Sequence, residues 1–534
     1  MTDAPVPRHA FAPDAVLEGG DLDCGSGLLL LIRGALDPLP SGRLLEVRST
    51  ETSVEQDLPA WCRLTGNALV SWTRAGARRS FLVSKGAFDV GGGRRAVAEA
   101  PTPAATPAPA AAGAQTVAAR AAARFAFPVE TPVFADAPPP PRPAPSLPPL
   151  AVMGIGSWPR PAWLLRALHE RLSGRLSPEE FEATADDAVR LAVQAQERAG
   201  VDVVVDGEQR RDNYASFVGD RLQNCRLVPL VDLLPLVDDP DNLARDFASL
   251  DVPADKVRHP VAFGPLGRSR PLALHEARFL ATVTRRPRKV ALPGPYLLAR
   301  TLWLECLADR AYASREALAA DVVRVLREEI AFLLADGVDV VQLDEPVLTE
   351  VVHGRPAGGR SFMCGALSAK GESGAELAFA RDLINEVVRG APRERLALHV
   401  CRGNWTRDVA AALTGDYRPL IDLLGALEVG ALLLEMCTPR AGEAEILREL
   451  PRRLRLGLGM VDQKSERIES ADDVARRLEA SARLFGADRL LLVPDCGFAT
   501  FADNPVASAA VAERKLAAMV AGRARFLGAS PPPA

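Results

Sequence analysis

From Val152 onward the chain alternates short apolar runs with longer segments of helical period, and few folds accept that pattern. The runs fall at 152–155, 201–205, 290–292, 338–343, 396–400, 431–434, 454–459 and 490–493, with amphipathic stretches such as 315–336 and 472–485 between them. A strand that is apolar along its whole length is buried on both faces. Strands of this kind alternating with helices therefore mean a parallel sheet covered by helices on each side, an α/β fold. Eight such runs fit a (β/α)8 TIM barrel. An open doubly wound sheet gives the same string, and the barrel is the expectation.

What precedes this body has a different character. Residues 101–150 hold 14 Pro and 16 Ala. Such a stretch buries too little side-chain area to offset its ordering entropy and reads as a semi-extended linker. The expected organisation is a small α+β two-layer domain over 1–95, a Pro/Ala-rich linker over 96–150 and the barrel over 151–534. With 64 basic and 68 acidic residues the formal charge is −4, which leaves no electrostatic footprint for nucleic acid. No apolar run reaches the roughly 18–20 residues that span a bilayer, and the first residues lack the basic start and apolar centre of a signal peptide. Eight Cys in 534 residues are too few for a disulfide scaffold, so a cytoplasmic, reducing setting without membrane association is expected.

Polar residues follow seven of the eight runs. Ser157 follows the first, Glu208 the second, Asp344-Glu345 the fourth and His399-x-Cys401 the fifth; Glu435 and Cys437, Asp462 and Lys464, and Asp495-Cys496 follow the last three. Metal-type side chains thus gather at the carboxyl ends of strands, where a barrel places its active site. His399-x-Cys401 brings two soft ligands close together, Cys496 ends a later strand, and Glu435 ends one between. One imidazole, two thiolates and one carboxylate suit Zn²⁺. Thiolate ligands raise the electron density on zinc, which favours making a bound substrate sulfur nucleophilic over polarising a carbonyl, so the set points to thiol activation more than to hydrolysis. An isolated Cys is usually a small core hydrophobe, the reading for Cys225, Cys306 and Cys364. Cys437 is either a substitute ligand or core. His9, His169, His259, His275 and His353 have no partner at ligand spacing and read as surface or structural.

Seven blocks carry a family resemblance: GIGSWPRP (154–161), VDGEQRRDNY (205–214), VQLDEPVL (341–348), HVCRGNW (399–405), LEMCTPRAGE (434–443), GMVDQKSERIES (459–470) and VPDCGFAT (493–500). In this order they resemble the catalytic half of cobalamin-independent methionine synthase in its short core form. The resemblance implies zinc on His399, Cys401, Glu435 and Cys496, and zinc-dependent methyl transfer to a homocysteine-like thiol, forming methionine. It sets the amino acid moiety of that thiol against Ser157, Glu208 and Asp344. Carboxylates suit an α-ammonium there, and a hydroxyl with backbone N–H groups suits an α-carboxylate. Each has a plainer reading: Asp344 as a helix N-cap, Ser157 as a cap, Glu208 as a structural ion pair with a neighbouring Arg.

Two positions depart from the long family form. Thr301 stands closest to the place of a Trp that stacks on the pterin, and Lys464 stands where that form has a proton-relaying His. An ordinary Lys is a poor proton shuttle near neutral pH, so Lys464 is expected to hold an anionic group; it and Asp344 are the candidate catalytic side chains. The methyl donor is left between methyltetrahydrofolate and a corrinoid protein. The alternative is alkyl transfer to another thiol, of the coenzyme M type or a persulfide.

Residues 15–86 read β-α-β-α-β-β. The stretch from DLDCGSGLLLL (21–31) through DLPAWCRLTGNALV (57–70) resembles a TusA/SirA-type sulfur-carrier domain. In that family a Cys at the start of the first helix carries a persulfide, its pKa lowered by the helix N-terminus. Cys24 matches it, but the usual Cys-Pro-x-Pro is here Cys24-Gly25-Ser26-Gly27, which leaves Cys24 as either reactive or structural. Cys62 reads as packed core. A sulfur-relay partner for this domain, and a relay protein with a degenerate donor site, are the further alternatives.

Overall fold

The computed structural model describes residues 9–20, 28–36, 39–52, 54–76, 78–88, 128–134, 139–144, 146–172, 174–229, 258–303, 311–354, 372–409 and 412–528. The chain divides into two compact units. One comprises Met1–Pro128, Val228–Ala248 and Val252–His259, the other Val129–Leu227, Ser249–Asp251 and Pro260–Ala534.

In the first unit four strands, β1 (Ala15–Gly20), β2 (Leu44–Ser49), β3 (Ala68–Ala75) and β4 (Arg78–Ser84), lie in the order β1-β2-β4-β3. The first pair is parallel, and β4 runs antiparallel to β2 and β3. Leu28, Ile32 and Leu36 recur every fourth residue and so share one face around the helix Leu29–Leu36. Alternate strand residues, Leu45 and Val47 on β2 and Phe81 and Val83 on β4, join them in one core with Leu58 and Trp61 of the helix Val54–Leu64. Cys62 belongs to that core, and burial pushes its thiol up to about 12. His9 is structural: its ring nitrogens meet Ser71 Oγ at 2.7 Å and Ser80 Oγ at 2.8 Å. Cys24 lies outside the described residues.

Strands β5 (Gln223–Pro229) and β6 (Arg258–Gly267) form a two-stranded sheet of their own. The main sheet is parallel and six-stranded: β7 (Lys289–Pro293), β8 (Val340–Asp344), β9 (Leu396–Val400), β10 (Ala431–Leu434), β11 (Arg455–Val461) and β12 (Leu490–Pro494), ordered β12-β11-β10-β9-β8-β7. Every residue of β7, β8, β9 and β12 is buried, the polar Lys289, Gln342, Asp344 and His399 included. The runs at 152–155 and 201–205 are not full strands. They make isolated parallel bridges, Val152–Leu492, Met153–Val203 and Val204–Arg288. Gly154 interrupts the first and Gly156 follows it, and Gly207, at φ +74°, follows the second, so the backbone turns into loops early.

Helix starts are written locally. Ser177 with Glu180, and Ser470 with Asp473, form capping boxes at the heads of the helices Pro178–Ala199 and Ala471–Phe485. No helix among the described residues is long and apolar enough to cross a membrane. Because the six strands run in one direction, their carboxyl ends share one end of the sheet. Asp344, His399, Cys401, Glu435, Lys464 and Cys496 all sit there, at strand ends or just beyond.

Candidate metal centre and active site

Strand register sets His399 on β9 beside Asp344 of β8 and Leu433 of β10. Its Nδ1–H donates to the Leu433 carbonyl at 3.0 Å. A carbonyl can only accept, so the neutral ring carries its lone pair on Nε2. That nitrogen is buried, has no oxygen or nitrogen partner, and faces the Cys401 sulfur. Cys401 and Cys496 stand beside it, with one ligand atom from each of the three residues inside a 4.8 Å cluster. A hydrogen bond from the Cys496 thiol holds Cys401 well below the ordinary thiol range, against the effect of burial and with help from His399. The same contact, with burial, pushes Cys496 up. One sulfur of the pair is thus kept anionic. Buried polar atoms are normally satisfied, so an orphaned imidazole nitrogen next to an anionic thiol pair fits a soft divalent ion such as zinc.

Glu435 stands outside that cluster. Its Oε2 accepts from the Arg402 backbone N–H at 3.1 Å and from Asn404 Nδ2 at 2.6 Å, and its Oε1 accepts from Arg440 Nε at 2.7 Å. The four-residue ligand set expected from sequence therefore meets three converging side chains and a carboxylate already held by protein donors. Cys437 is not in the cluster either, and burial raises its thiol. Asp495 explains how the neighbouring loops keep their places. Its Oδ1 accepts from Met436 N–H at 2.9 Å and Cys437 N–H at 2.7 Å, which ties the loop after β10 to the loop carrying Cys496. Gly459 is needed below it, because a Cβ there would overlap the Asp495 carboxylate.

Ser157, Glu208 and Asp344 border the same cavity as His399, Cys401 and Cys496. Ser157 Oγ accepts from the Ala499 N–H at 3.3 Å, and a Cβ at Gly497 would overlap that hydroxyl. Ser157 caps no helix. Glu208 has left-handed backbone, φ +54°, which a non-glycine residue adopts at a cost that recurs at functional sites. Its Oε2 is buried without a partner, and Arg211 Nη1 is 3.8 Å from Oε1 while that guanidinium pairs more closely with Glu276, at 2.7 Å. Burial pushes the Glu208 carboxyl up to about 7; Arg211 opposes the shift and Asp344 adds to it. Asp344 is no cap either. Its neighbour Glu345 accepts from Tyr296 and Leu297 N–H at 2.8 and 2.9 Å, reaching across to the head of the helix Pro295–Leu302, whose N-cap is Gly294. Lys464 is not among the cavity-lining residues; its Nζ donates to the Asp408 carbonyl at 3.2 Å. Burial and Arg440 push it down to about 8, while Glu435 and the two thiols pull it back.

The profile of the cobalamin-independent synthase catalytic domain matches residues 150–229 and 246–521, a span that contains all of these side chains. The chain belongs to this family. The methionine synthase of Sulfolobus acidocaldarius is 26% identical to this synthase domain over 345 residues, covering 64% of this chain and 84% of that protein. The 5-methyltetrahydropteroyltriglutamate–homocysteine methyltransferase of Nitratidesulfovibrio vulgaris is 27% identical over 359 residues, 67% of this chain and 40% of the longer relative. The B12-independent methionine synthase of a Shewanella species, solved with selenomethionine, superposes at a TM-score of 0.52 and 24% identity, over 71% of this chain and 99% of that one. The fold is shared.

Within this synthase domain, sequence reasoning assigned no role to Tyr214, Asn404, Trp405 or Phe501, which also line the cavity. The first three sit inside or at the end of family blocks, and that is the signal available for them. Asn404 earns attention by its bond to Glu435.

Proposed function

We propose that this synthase domain transfers a methyl group to the sulfur of a homocysteine-type amino thiol, forming methionine, with zinc held by His399, Cys401 and Cys496. The observation that carries the reading is the convergence of those three buried ligands in the cavity that Ser157, Glu208 and Asp344 border. Relatives named methionine synthase and homocysteine methyltransferase support the same reaction. Zinc bound there would supply a deprotonated substrate sulfur at neutral pH. Glu435 completes the donor set in this reading, for which it exchanges its contacts with Asn404 and Arg440. Ser157 and the N–H groups around it suit the α-carboxylate, and Asp344 and Glu208 suit the α-ammonium, so the thiol is held at both ends. Lys464 is the residue for an anionic group of the methyl donor.

The same reading takes the eight segments as a (β/α)8 barrel. Its support is the chain of bridges that continues the sheet from β12 through 152–153 and 203–204 to Arg288, next to β7. An inner apolar cluster drawing on Met153, Val203, Val340, Ala397, Leu433 and Leu491 supports it too. For the N-terminal unit, the β-α-β-α-β-β order supports a TusA/SirA-like domain.

The direct test supplies homocysteine with either methyltetrahydrofolate or a methylated corrinoid protein and measures methionine. Formation with one of the two donors is expected; no methionine with either, from zinc-loaded protein, contradicts the proposal. A pH dependence goes with it. Glu208, at about 7, is mostly protonated below that pH and ionised above it, while the substrate ammonium stays charged. KM for homocysteine should therefore fall by up to about tenfold between about pH 6 and pH 8, and Glu208→Gln should flatten that change.

A further inference from the structure

Lys289 begins β7 and is 1% exposed. An ammonium buried among apolar strands is costly unless it is paired and hydrogen-bonded. Its Nζ donates to the Gly154 carbonyl and, at 2.6 Å, to Gln342 Oε1. The Gln342 amide Nε2 donates in turn to Asp344 Oδ1 at 2.6 Å. Gln342 and Asp344 are two residues apart on β8 and so share a face of the sheet. The amide has only one workable orientation here: turned over, it would aim its NH₂ at an ammonium and its oxygen at a carboxylate. Neither Lys289 nor Gln342 lines the cavity, whereas Asp344 does. Burial lowers Lys289 to about 7, with Asp344 and Glu208 opposing.

We propose that Lys289, acting through Gln342, is a positioning residue that orients the Asp344 carboxylate toward the cavity, and thereby makes the site select thiols that carry an α-ammonium group. The inference rests on the function proposed above. Lys289 Nζ stands behind Asp344 through the Gln342 amide; the substrate's ammonium meets the carboxylate from the cavity side.

The test uses the full chain, zinc-loaded, and measures affinity by calorimetry for homocysteine and for 4-mercaptobutanoate, its analogue without the amine. The parent protein is expected to prefer homocysteine by at least about tenfold. Lys289→Met is expected to reduce that preference to within about threefold while zinc content is unchanged. Lys289→Met leaves two buried acceptors without their donor and lowers stability. The same ratio is therefore read on Gln342→Leu, which keeps the ammonium on the Gly154 carbonyl and should lose the preference as well. Retained preference in both variants, or an equal loss of affinity for both thiols, overturns the inference and leaves Lys289 as a packing support. A parent protein that binds neither thiol overturns the proposed function instead.

Discussion

Cys401→Ser protein should purify without zinc and methylate homocysteine at least about a hundredfold more slowly than the parent, with its fold intact. Cys401 is the sulfur that its neighbours keep anionic, and a serine hydroxyl in its place stays protonated near neutral pH. Two remaining ligands, one of them a thiol pushed toward its protonated form, hold the ion poorly. Without the metal, a free thiol of pKa about 8.5 is only a few per cent ionised at pH 7, a loss of more than tenfold before the loss of positioning is added. The local backbone has independent support, since Thr349 Oγ1 donates to the Cys401 carbonyl at 2.8 Å whichever side chain is present. Metal content by mass spectrometry, thermal unfolding and methionine formation read the three parts of this expectation separately. Wild-type zinc and activity in this variant would remove the basis for the site.

Asp344→Asn should retain zinc but raise KM for homocysteine by on the order of a hundredfold. Truncating one partner of a buried, hydrogen-bonded charge pair typically costs about 2–5 kcal/mol, which is roughly thirtyfold to several-thousandfold in affinity. The substitution keeps the shape of the side chain, so the Gln342 amide still finds an oxygen to donate to, and only the charge facing the ammonium is lost. Steady-state kinetics check the direction: a rise in KM with zinc unchanged separates this effect from damage to the metal ligands. A KM within twofold of the parent would assign amine binding to Glu208 alone.

Much of this architecture was legible because apolar runs end abruptly. The runs at 396–400 and 431–434 are β9 and β10 without a shift, with His399 one residue before the end of the first and Cys401 and Glu435 just past the two ends. The approach of His399 to Cys401 follows from their spacing, and that of Cys496 from its place just past β12. Other features depend on which way a side chain turns, and spacing does not encode that. Glu435 follows its strand as a ligand would, yet its partners are Arg440, five residues on, and Asn404 from a different loop. The bridges at 152–153 and 203–204 replace expected strands because glycines follow them closely. Lys289 carries a signal in the sequence, a charged residue at the head of an apolar run. Its partners, Gln342 and Gly154, are distant along the chain, so spacing does not announce them.

X-ray absorption at the zinc edge of the purified full chain bears on the whole account, because it reads the identity of the atoms around the metal and not merely its presence. One zinc per chain is predicted, bound by two sulfur atoms and at least one imidazole nitrogen, with no zinc signal from Cys401→Ser protein. A protein without zinc, or a zinc shell of nitrogen and oxygen alone, would contradict it.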